Sequence, residues 1–295
     1  MALQTRENYF DPKLVTDLIN KVQGKSSLAV LGKQVPVAFN GNKEFTFSMD
    51  SEIDIVAENG KKSHGGITLE PVTIVPIKFE YGARVSDEFL YATEEEQIEI
   101  LKAFNEGFAR KVARGLDIAA MHGLNPRTGE ASTVVGSNHF DAKVTDTVTY
   151  AQATPDANIE SAIAMVEGAD NEVTGIVIAP SVRTDLAKLV GANGGNKYPE
   201  FAFGGKPATL GSQALDINST VVFGATTKDR AIVGDFANMF KWGYAKEIPL
   251  EVIKYGDPDQ SGKDLKAYNQ VYIRSEVYLG WGILNPEAFA RIVAE

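Results

Sequence analysis

The stretch from residue 67 to residue 86 constrains the fold more than any other part of this sequence. Its odd positions are mostly apolar and its even positions mostly polar, which is the period of a β-strand with one buried face. Twenty extended residues would measure about 65 Å, whereas strands in compact domains usually have about 3–10 residues. Pro71 and Pro76 cannot donate to a sheet ladder, so we expect one side of this strand to be an edge. The pattern predicts an arm that projects from the body of the protein.

The segment DIVAENGKKSHGG separates this strand from an earlier strand-like run, KEFTFSM. The segment is polar, carries charges of both signs and is rich in glycine, so the two runs predict a long hairpin over 43–80 with a charged tip. The N-terminal arm, residues 1–42, contains apolar side chains without an evident partner, and we expect other subunits to cover them. These side chains belong to Leu28, Val30, Leu31, Val35 and Val37.

Residues 93–123 have the pattern of a long amphipathic helix. Thr93 and Glu96 form the S/T-x-x-E capping box, and acidic residues fill the first turn. Apolar residues then follow at steps of three and four, and Gly123 ends the pattern as a C-terminal glycine. The helix would be about 44 Å long. Gly107 and Gly115 reduce its helix propensity, which predicts a packing reason for each of them.

From residue 146 to residue 267 the pattern alternates between helices and short strands, as in an α/β domain. Helices are predicted at DANIESAIAMVEG and SVRTDLAKLVG, with the buried strand TGIVIAP between them. Further strands are predicted at STVVFGA, RAIVGDF, LEVIKYG and LKAYNQVYIRSEVYLGWGILNP, and a short helical turn beginning at Pro286 ends the chain.

The composition excludes several classes of function. The 295 residues are 44% hydrophobic and 23% charged, as in soluble folded proteins, and contain neither a membrane-spanning run nor a signal-peptide core. A net charge of −10 argues against a surface that grips nucleic-acid phosphates. The absence of cysteine removes disulfides, thiolate metal sites and thiol nucleophiles. We find no phosphate-loop, zinc-protease or serine-hydrolase motif, and the three histidines lack metal-binding spacing, so we expect no cofactor and no metal.

The segment DPDQSGKDLKAY matches part of a calcium-binding loop. Position 12, where a bidentate glutamate would close the cage, is Tyr268. Because this ligand is missing, the sequence predicts a polar turn between two strands instead of a calcium site. The matching residues, at positions 1, 3, 5 and 6, are Asp257, Asp259, Ser261 and Gly262.

The order of these parts resembles the major capsid protein family of tailed bacteriophages, whose fold is shared with encapsulins. The resemblance covers roughly residues 10–292. The stretch IVAENGKKS…ITLEPVTIVPIKFEYGARVSDEFL resembles the extended loop of that family, and GIVIAPSVRTDLAKL, YPEFAFGG and FANMFKWGYAKEIPLEV resemble segments of its axial domain. The resemblance implies an α+β fold with five parts. These are an N-terminal arm (1–42), an extended β-hairpin loop (43–80), a peripheral domain with a long spine helix (81–145), an α/β axial domain (146–267) and a return strand (268–295).

The resemblance also implies a structural protein and not an enzyme. Such proteins assemble as hexamers and pentamers into an icosahedral head, which encloses double-stranded DNA without reading its sequence. It implies a separate scaffolding protein and a portal protein as partners, no contact with a membrane, and assembly in the host cytoplasm. Two alternatives remain open: an encapsulin-like compartment and a soluble α/β enzyme of unknown chemistry. The extended N-terminal arm favours the phage capsid over the encapsulin, since encapsulins usually begin with a helix.

One branch of this family cross-links its shell through a lysine at the loop tip, an asparagine on a neighbouring subunit and a nearby glutamate. The matching positions in this sequence are Lys62, Asn269 and Glu276. Asn269 and Glu276 differ by an odd number, so they would face opposite sides of an uninterrupted strand, and the reaction requires a bulge or bend between them. The alternative role of Lys62 is a non-covalent salt bridge or hydrogen bond.

Overall fold

The computed structural model describes residues 26–49, 51–91, 93–224 and 227–295. The segment PKLVTDLINKV of the N-terminal arm, whose sequence predicts a short helix, lies outside them. The described residues form two sheets, a separate two-stranded hairpin and several helices packed between and around them. The strands are β1 (Lys33–Gln34), β2 (Asn42–Met49), β3 (Ile67–Ile74), β4 (Ile77–Ser86), β5 (Thr147–Thr149), β6 (Gly175–Ile178), β7 (Thr209–Leu210), β8 (Gln213–Ile217), β9 (Asp229–Gly234), β10 (Phe240–Ile253), β11 (Gln270–Ile283) and β12 (Phe289–Val293). The α-helices are α1 (Ser27–Leu31), α2 (Glu94–His122), α3 (Phe140–Lys143), α4 (Pro155–Gly168), α5 (Pro180–Lys188) and α6 (Phe236–Met239).

The spine helix α2 confirms the prediction made from its capping residues. The Thr93 hydroxyl accepts a hydrogen bond from the Glu96 N–H at 3.4 Å, and the Glu96 carboxylate accepts one from the Thr93 N–H at 3.2 Å. Gly123 ends the helix in the left-handed conformation, where glycine has no steric penalty. The C-terminal half of the helix is buried in the main core, so the helix connects the two sheets.

The first sheet has the strand order β1-β10-β11-β4, with β11 antiparallel to both of its neighbours. Trp242 of β10 and Trp281 of β11 lie opposite each other, and both are fully buried. The Trp281 indole donates to the Asn138 carbonyl at 2.9 Å, and the Asn138 amide donates to the Trp281 carbonyl at 3.0 Å. This pair of bonds satisfies the polar atom of a buried aromatic residue and attaches the sheet to the segment after α2.

The second sheet has the order β5-β12-β9-β6-β8-β7 and forms the α/β part of the molecule. Its central strand β6 is buried along its whole length, as predicted from TGIVIAP. Phe140 of α3 lies among three other buried phenylalanine rings, with centroid distances of 5.0–6.0 Å. These rings belong to Phe236, Phe240 and Phe289. Aromatic packing of this kind contributes to the core beyond simple area burial.

Several predicted strands differ in the structure. The predicted strand over 67–86 is broken at Val75 and Pro76, so that β3 belongs to the hairpin and β4 to the first sheet. The segment predicted as the strand STVVFGA begins with a 3-10 turn over Ser219–Val222, and the strand lies just before it as β8. At the C-terminus the helical turn covers Pro286–Ala288, but β12 follows and pairs with β9. For β8 and β12, pairing with another strand decides which residues are extended. Local sequence propensity does not contain this information.

The prediction that other subunits cover the apolar side chains of the N-terminal arm is wrong for part of the described arm. Leu28 and Val37 are buried by their own chain, whereas Val30 is 54% exposed. The carboxylate of Asp117 on α2 accepts hydrogen bonds from the N–H groups of Ser27 and Leu28 at 3.1 and 3.2 Å, which attaches α1 to the spine helix. The sequence favours a phage capsid over an encapsulin because its arm is expected to be extended. Residues 27–31 are helical, so this part of the arm does not support that argument.

Candidate inter-subunit site

The hairpin of β2 and β3 exposes an apolar face. Direct cross-strand pairs include Phe47 with Leu69 and Met49 with Ile67. Alternation along each strand places these side chains on one side of the hairpin, together with Phe45. All five are 54–68% exposed. We call this surface the apolar hairpin face; it consists of Phe45, Phe47, Met49, Ile67 and Leu69.

The base of the hairpin is firmly attached to the first sheet. Ile74 is fully buried, and its side chain lies against Gly280 and Gly282 of β11, where an added Cβ would come within 3.1 and 2.9 Å of it. Lys241 of β10 donates to the carboxylate of Glu44 at 2.8 Å. The subunit therefore holds the base in place, while the described residues leave more than half of each side chain of the apolar hairpin face exposed.

The hairpin tip joins β2 to β3 and contains the first predicted cross-linking residue. Lys62 lies in an irregular, exposed part of this tip. Ile53 and Ile55 in the same tip are more than 90% exposed, so the tip is less uniformly polar than the sequence suggested. Exposure of Lys62 allows contact with another subunit, and the prediction of a cross-link stays a prediction.

The other two predicted cross-linking residues, Asn269 and Glu276, lie far apart: Asn269 precedes β11 and Glu276 lies in its middle. Asn269 comes just before the strand, is exposed, and has a left-handed backbone with φ of +51°. From Gln270 to Leu279 the strand pairs with β4 without a register shift, and the irregularities of the β10–β11 pairing add residues to β10. Seven residues of strand separate the two side chains by about 23 Å. The bulge or bend that the reaction would require between Asn269 and Glu276 is therefore not seen in β11, and the two residues of one subunit do not meet.

Glu276 is buried and already has partners in its own chain. The Lys78 ammonium lies 2.7 Å from its carboxylate, and the Arg274 guanidinium lies 3.5 Å away. The hydrogen bond to Glu276 raises the pKa of Lys78, which favours the charged ammonium. Sequence reasoning missed this role of Lys78, although its alternation with Glu80 on β4 could have indicated a charged row across the sheet.

A second cluster, of buried charges, connects the spine helix to the α/β sheet. The two ring nitrogens of His122 lie 2.9 Å from the Asp141 carboxylate and 2.9 Å from the Thr220 carbonyl. Arg291 of β12 donates to the carboxylate of Asp229 at 2.8 Å and lies 3.0 Å from that of Asp141. We call His122, Asp141, Asp229 and Arg291 the buried charge cluster.

The buried charge cluster has the ligand types of a metal site, since His122, Asp141 and Asp229 place ligand atoms within 4.8 Å of one another. The Arg291 guanidinium lies between the two carboxylates and supplies a cation there. Both nitrogens of His122 are also in hydrogen bonds, so the arrangement fits a structural ion-pair network. No local pattern in the sequence indicates this cluster, because its members are up to 169 positions apart, from His122 to Arg291.

Comparisons with known proteins agree with this architecture. The sequence matches the family described as the phage capsid family over residues 9–294. A solved chain from Mycobacterium phage Ogopogo is 30% identical, with a TM-score of 0.78 and 92% coverage of both chains. A chain from Gordonia phage Cozz is 26% identical, with a TM-score of 0.77 and coverage of 92% of this chain and 87% of that one. A chain from the capsid of a native GTA particle shares the fold, at 16% identity and a TM-score of 0.65, covering 91% of this chain and 89% of that one.

The long spine helix, the α/β sheet and the projecting hairpin define a protein that builds a shell. The chain belongs to the phage capsid family. It is a structural, non-enzymatic major capsid protein of the virion, with the α+β fold of tailed-phage capsid proteins. A search of curated proteins gave no significant match. Among the described residues, no helix is both long and apolar enough to cross a membrane.

Proposed function

We propose that the subunits form hexamers and pentamers that close into an icosahedral head around double-stranded DNA. We propose further that the apolar hairpin face is covered by a neighbouring subunit in that shell. The observation that carries this proposal is a hairpin whose base is fixed while five large apolar side chains stay in solvent. An isolated two-stranded hairpin is only marginally stable in water, so a second surface is needed to hold it.

The energy available from such a contact is large enough to drive assembly. Complete burial of one large apolar side chain contributes about 1.5–3 kcal/mol. Five partly exposed side chains in each subunit, repeated around every capsomer, add to one another across the shell. A contact through the hairpin also explains why Val75 and Pro76 interrupt the strand, because the break lets β3 leave the first sheet.

Deletion of residues 52–66 tests the role of the hairpin. The α/β part should remain soluble, but closed shells should disappear, as judged by negative-stain microscopy and sedimentation. A sharper variant replaces Phe47 and Leu69 by serine and leaves the tip intact. Thr68→Ala on the other side of β3 is the matched control and should assemble normally. Normal shells from the Phe47→Ser, Leu69→Ser double variant would refute the proposal.

The remaining partners are proposed from family membership. A separate scaffolding protein and a portal protein would take part in assembly in the host cytoplasm. The net charge of −10 supports a shell that encloses DNA without gripping it. Isolated capsomers should therefore bind double-stranded DNA weakly. Strong binding that falls steeply with added salt would contradict this part of the proposal.

Covalent cross-linking is a second candidate function. It is supported by the exposure of both Lys62 and Asn269, which lets residues of different subunits meet. The Lys62 amine would attack the amide carbon of Asn269 on a neighbouring subunit, a new amide bond would form, and ammonia would leave. Because Asn269 and Glu276 of one chain lie about 23 Å apart, Glu276 would have to come from a different subunit than Asn269. It would accept the amine proton and return it to the leaving nitrogen. Lys78 already contacts Glu276, so Lys78 would have to share the carboxylate or move away.

A denaturing gel of boiled, mature particles decides between covalent and non-covalent roles of Lys62. A ladder of multimers that Lys62→Arg abolishes supports the bond. The adjacent Lys61→Arg variant is the matched control and should keep the ladder. A single monomer band from mature wild-type particles would show that Lys62 acts, at most, through a non-covalent contact.

A further inference from the structure

The turn between β10 and β11 surrounds one guanidinium nitrogen with oxygen atoms. Nη2 of Arg84, on the adjacent strand β4, lies 2.7 Å from an Asp257 oxygen, 2.5 Å from an Asp259 oxygen and 2.6 Å from the Ser261 hydroxyl. It also donates to the backbone carbonyl of Lys263 at 2.8 Å. Four oxygens from four residues of one short turn therefore point at a single cationic atom.

These four oxygens come from the positions that bind the ion in a calcium loop. Counted from Asp257, they stand at positions 1, 3 and 5, with a backbone carbonyl at position 7. Position 6 is Gly262, whose φ of +80° provides the sharp turn that such loops require. The second oxygen of Asp257 accepts the Gly262 N–H at 2.7 Å, which fixes this turn. The sequence match thus extends to the arrangement of the ligand atoms, with a side chain where the ion would be.

The rest of the guanidinium fits the same place. Nε donates to the other oxygen of Asp259 at 2.8 Å, which makes the contact with this carboxylate bidentate. Nη1 donates to the side-chain oxygen of Gln270 at 3.2 Å. The hydrogen bond from Arg84 lowers the pKa of Asp259 far below its usual range, and the bond to Asp259 raises the pKa of Arg84. The charged forms of both partners favour each other.

We propose that Arg84 is the built-in cation of a calcium-like loop. Arg84 keeps residues 257–263 ordered and attached to β4 without any divalent ion, and removal of its side chain converts the turn into a weak divalent-cation site. The natural protein would not depend on calcium in this region. A variant with a short neutral residue at position 84 would depend on it.

The affinity of this variant site follows from its ligand set. Removal of the guanidinium leaves two carboxylates, a hydroxyl and a carbonyl around an open centre, and hard oxygen ligands of this kind suit Ca²⁺. The bidentate glutamate of a full loop is missing, since position 12 is Tyr268. The affinity should therefore be that of weak calcium modules, with a dissociation constant of about 10⁻⁴–10⁻³ M.

The test compares the full-length wild type with Arg84→Ala in thermal unfolding, with CaCl₂ or with EDTA. We expect a lower midpoint for Arg84→Ala in EDTA and recovery of much of the loss on titration of Ca²⁺ through the stated range. The wild-type midpoint should not respond. Tyr272 lies opposite Arg84 in the β4–β11 pairing, so terbium luminescence excited through tyrosine should appear in Arg84→Ala and disappear when Asp257→Asn is added.

Arg274→Ala is the matched control, because the partners of Arg274 among the described residues are the carboxylates of Glu251 and Glu276, which lie on strands and not in a loop. This variant should not respond to calcium. A response by the wild type in the same range, or no response by Arg84→Ala, would overturn the proposal. If Arg84→Ala gives no soluble protein, Arg84→Lys decides. A soluble protein whose midpoint is insensitive to calcium supports a built-in cation, and insolubility equal to that of the alanine variant contradicts it.

Discussion

The α/β sheet and the β2–β3 hairpin use similar apolar strands in opposite ways. Every residue of β6 is buried within the subunit, whereas Phe45, Phe47 and Met49 of β2 remain more than half exposed. Helices of the same chain, including α4 and α5, pack against this sheet. The hairpin contacts its own subunit mainly through its base. One region thus completes its core within one chain, and the other presents an apolar face that a second chain would cover in the proposed shell.

The largest effect is expected from a phenylalanine in the enclosed core. Phe140→Ala should reduce the free energy of unfolding by about 3–5 kcal/mol, because it leaves a cavity among closely packed aromatic rings. Urea unfolding of the soluble subunit measures this loss. Phe47→Ala, the same substitution on the hairpin, should change subunit stability by less than about 0.5 kcal/mol and act on assembly instead. Equal losses in the two variants would show that the hairpin is already packed within the subunit.

The buried charge cluster predicts a smaller effect, which depends on pH. Burial and the adjacent carboxyl of Asp141 raise the pKa of Asp229. Burial lowers the pKa of His122, but the bond to Asp141 and the charge of Asp229 raise it overall. Burial lowers the pKa of the neighbouring His139, and the Arg291 guanidinium lies against the carboxylates of Asp141 and Asp229. Asp141 has a lowered pKa, despite its burial, through its bond to His122.

The direction of the pH dependence follows from the raised pKa values of Asp229 and His122. A group whose pKa is raised in the folded state stabilises it fully below the unfolded pKa, and this contribution is lost as pH rises through the folded pKa. The cluster should therefore stabilise the subunit less as pH rises from about 5 to 8, by at most about 1.4 kcal/mol per pH unit for one proton. The lowered pKa values of Asp141 and of the neighbouring His139 act in the opposite direction, below about pH 4 and below about pH 6.5 respectively.

Unfolding midpoints measured from pH 5 to 8 test this prediction. Asp229→Asn should flatten the decline, because it removes one of the titrating groups. Asp156→Asn is the control: burial would raise the pKa of Asp156, but the bonded Lys197 lowers it overall, so Asp156 titrates below this window. An identical slope in the wild type and Asp229→Asn would rule out Asp229 as a source of the pH dependence.

The elements that the sequence predicted best depend on local signals. The spine helix carries both caps in its sequence, so its first and last residues follow from Thr93, Glu96 and Gly123. The hairpin follows from the alternation around a glycine-rich tip. The sequence predicts a strand at STVVFGA and none at β8, because local propensity does not report the pairing with β6 that decides which apolar run becomes extended.

For the candidate cross-linking site, the sequence predicted which residues take part but not their contacts within the subunit. The resemblance located Lys62, Asn269 and Glu276, but the partner of Glu276 in the subunit is Lys78, which the register between β4 and β11 brings beside it. The same register joins Arg84 to the turn after β10, across more than 170 positions. A sequence read along the chain contains the ligand spacing of that turn but not the cation that fills it.

The smallest expected effect comes from two glycines of the spine helix, for which the sequence predicted packing reasons. This prediction is confirmed for Gly115, where an added Cβ would lie 3.2 Å from the Phe79 ring. It is wrong for Gly107 within the described subunit, where nothing beyond the adjacent residues and the helix's own backbone lies within 4 Å of an added Cβ. Gly107→Ala should therefore raise the free energy of unfolding by about 0.5–1 kcal/mol through helix propensity, whereas Gly115→Ala should lower it. Chemical denaturation of soluble subunits measures both changes. If Gly107→Ala also assembles normally, no other subunit packs closely at this position. A stabilised subunit that no longer forms shells would place Gly107, like the apolar hairpin face, against a second chain.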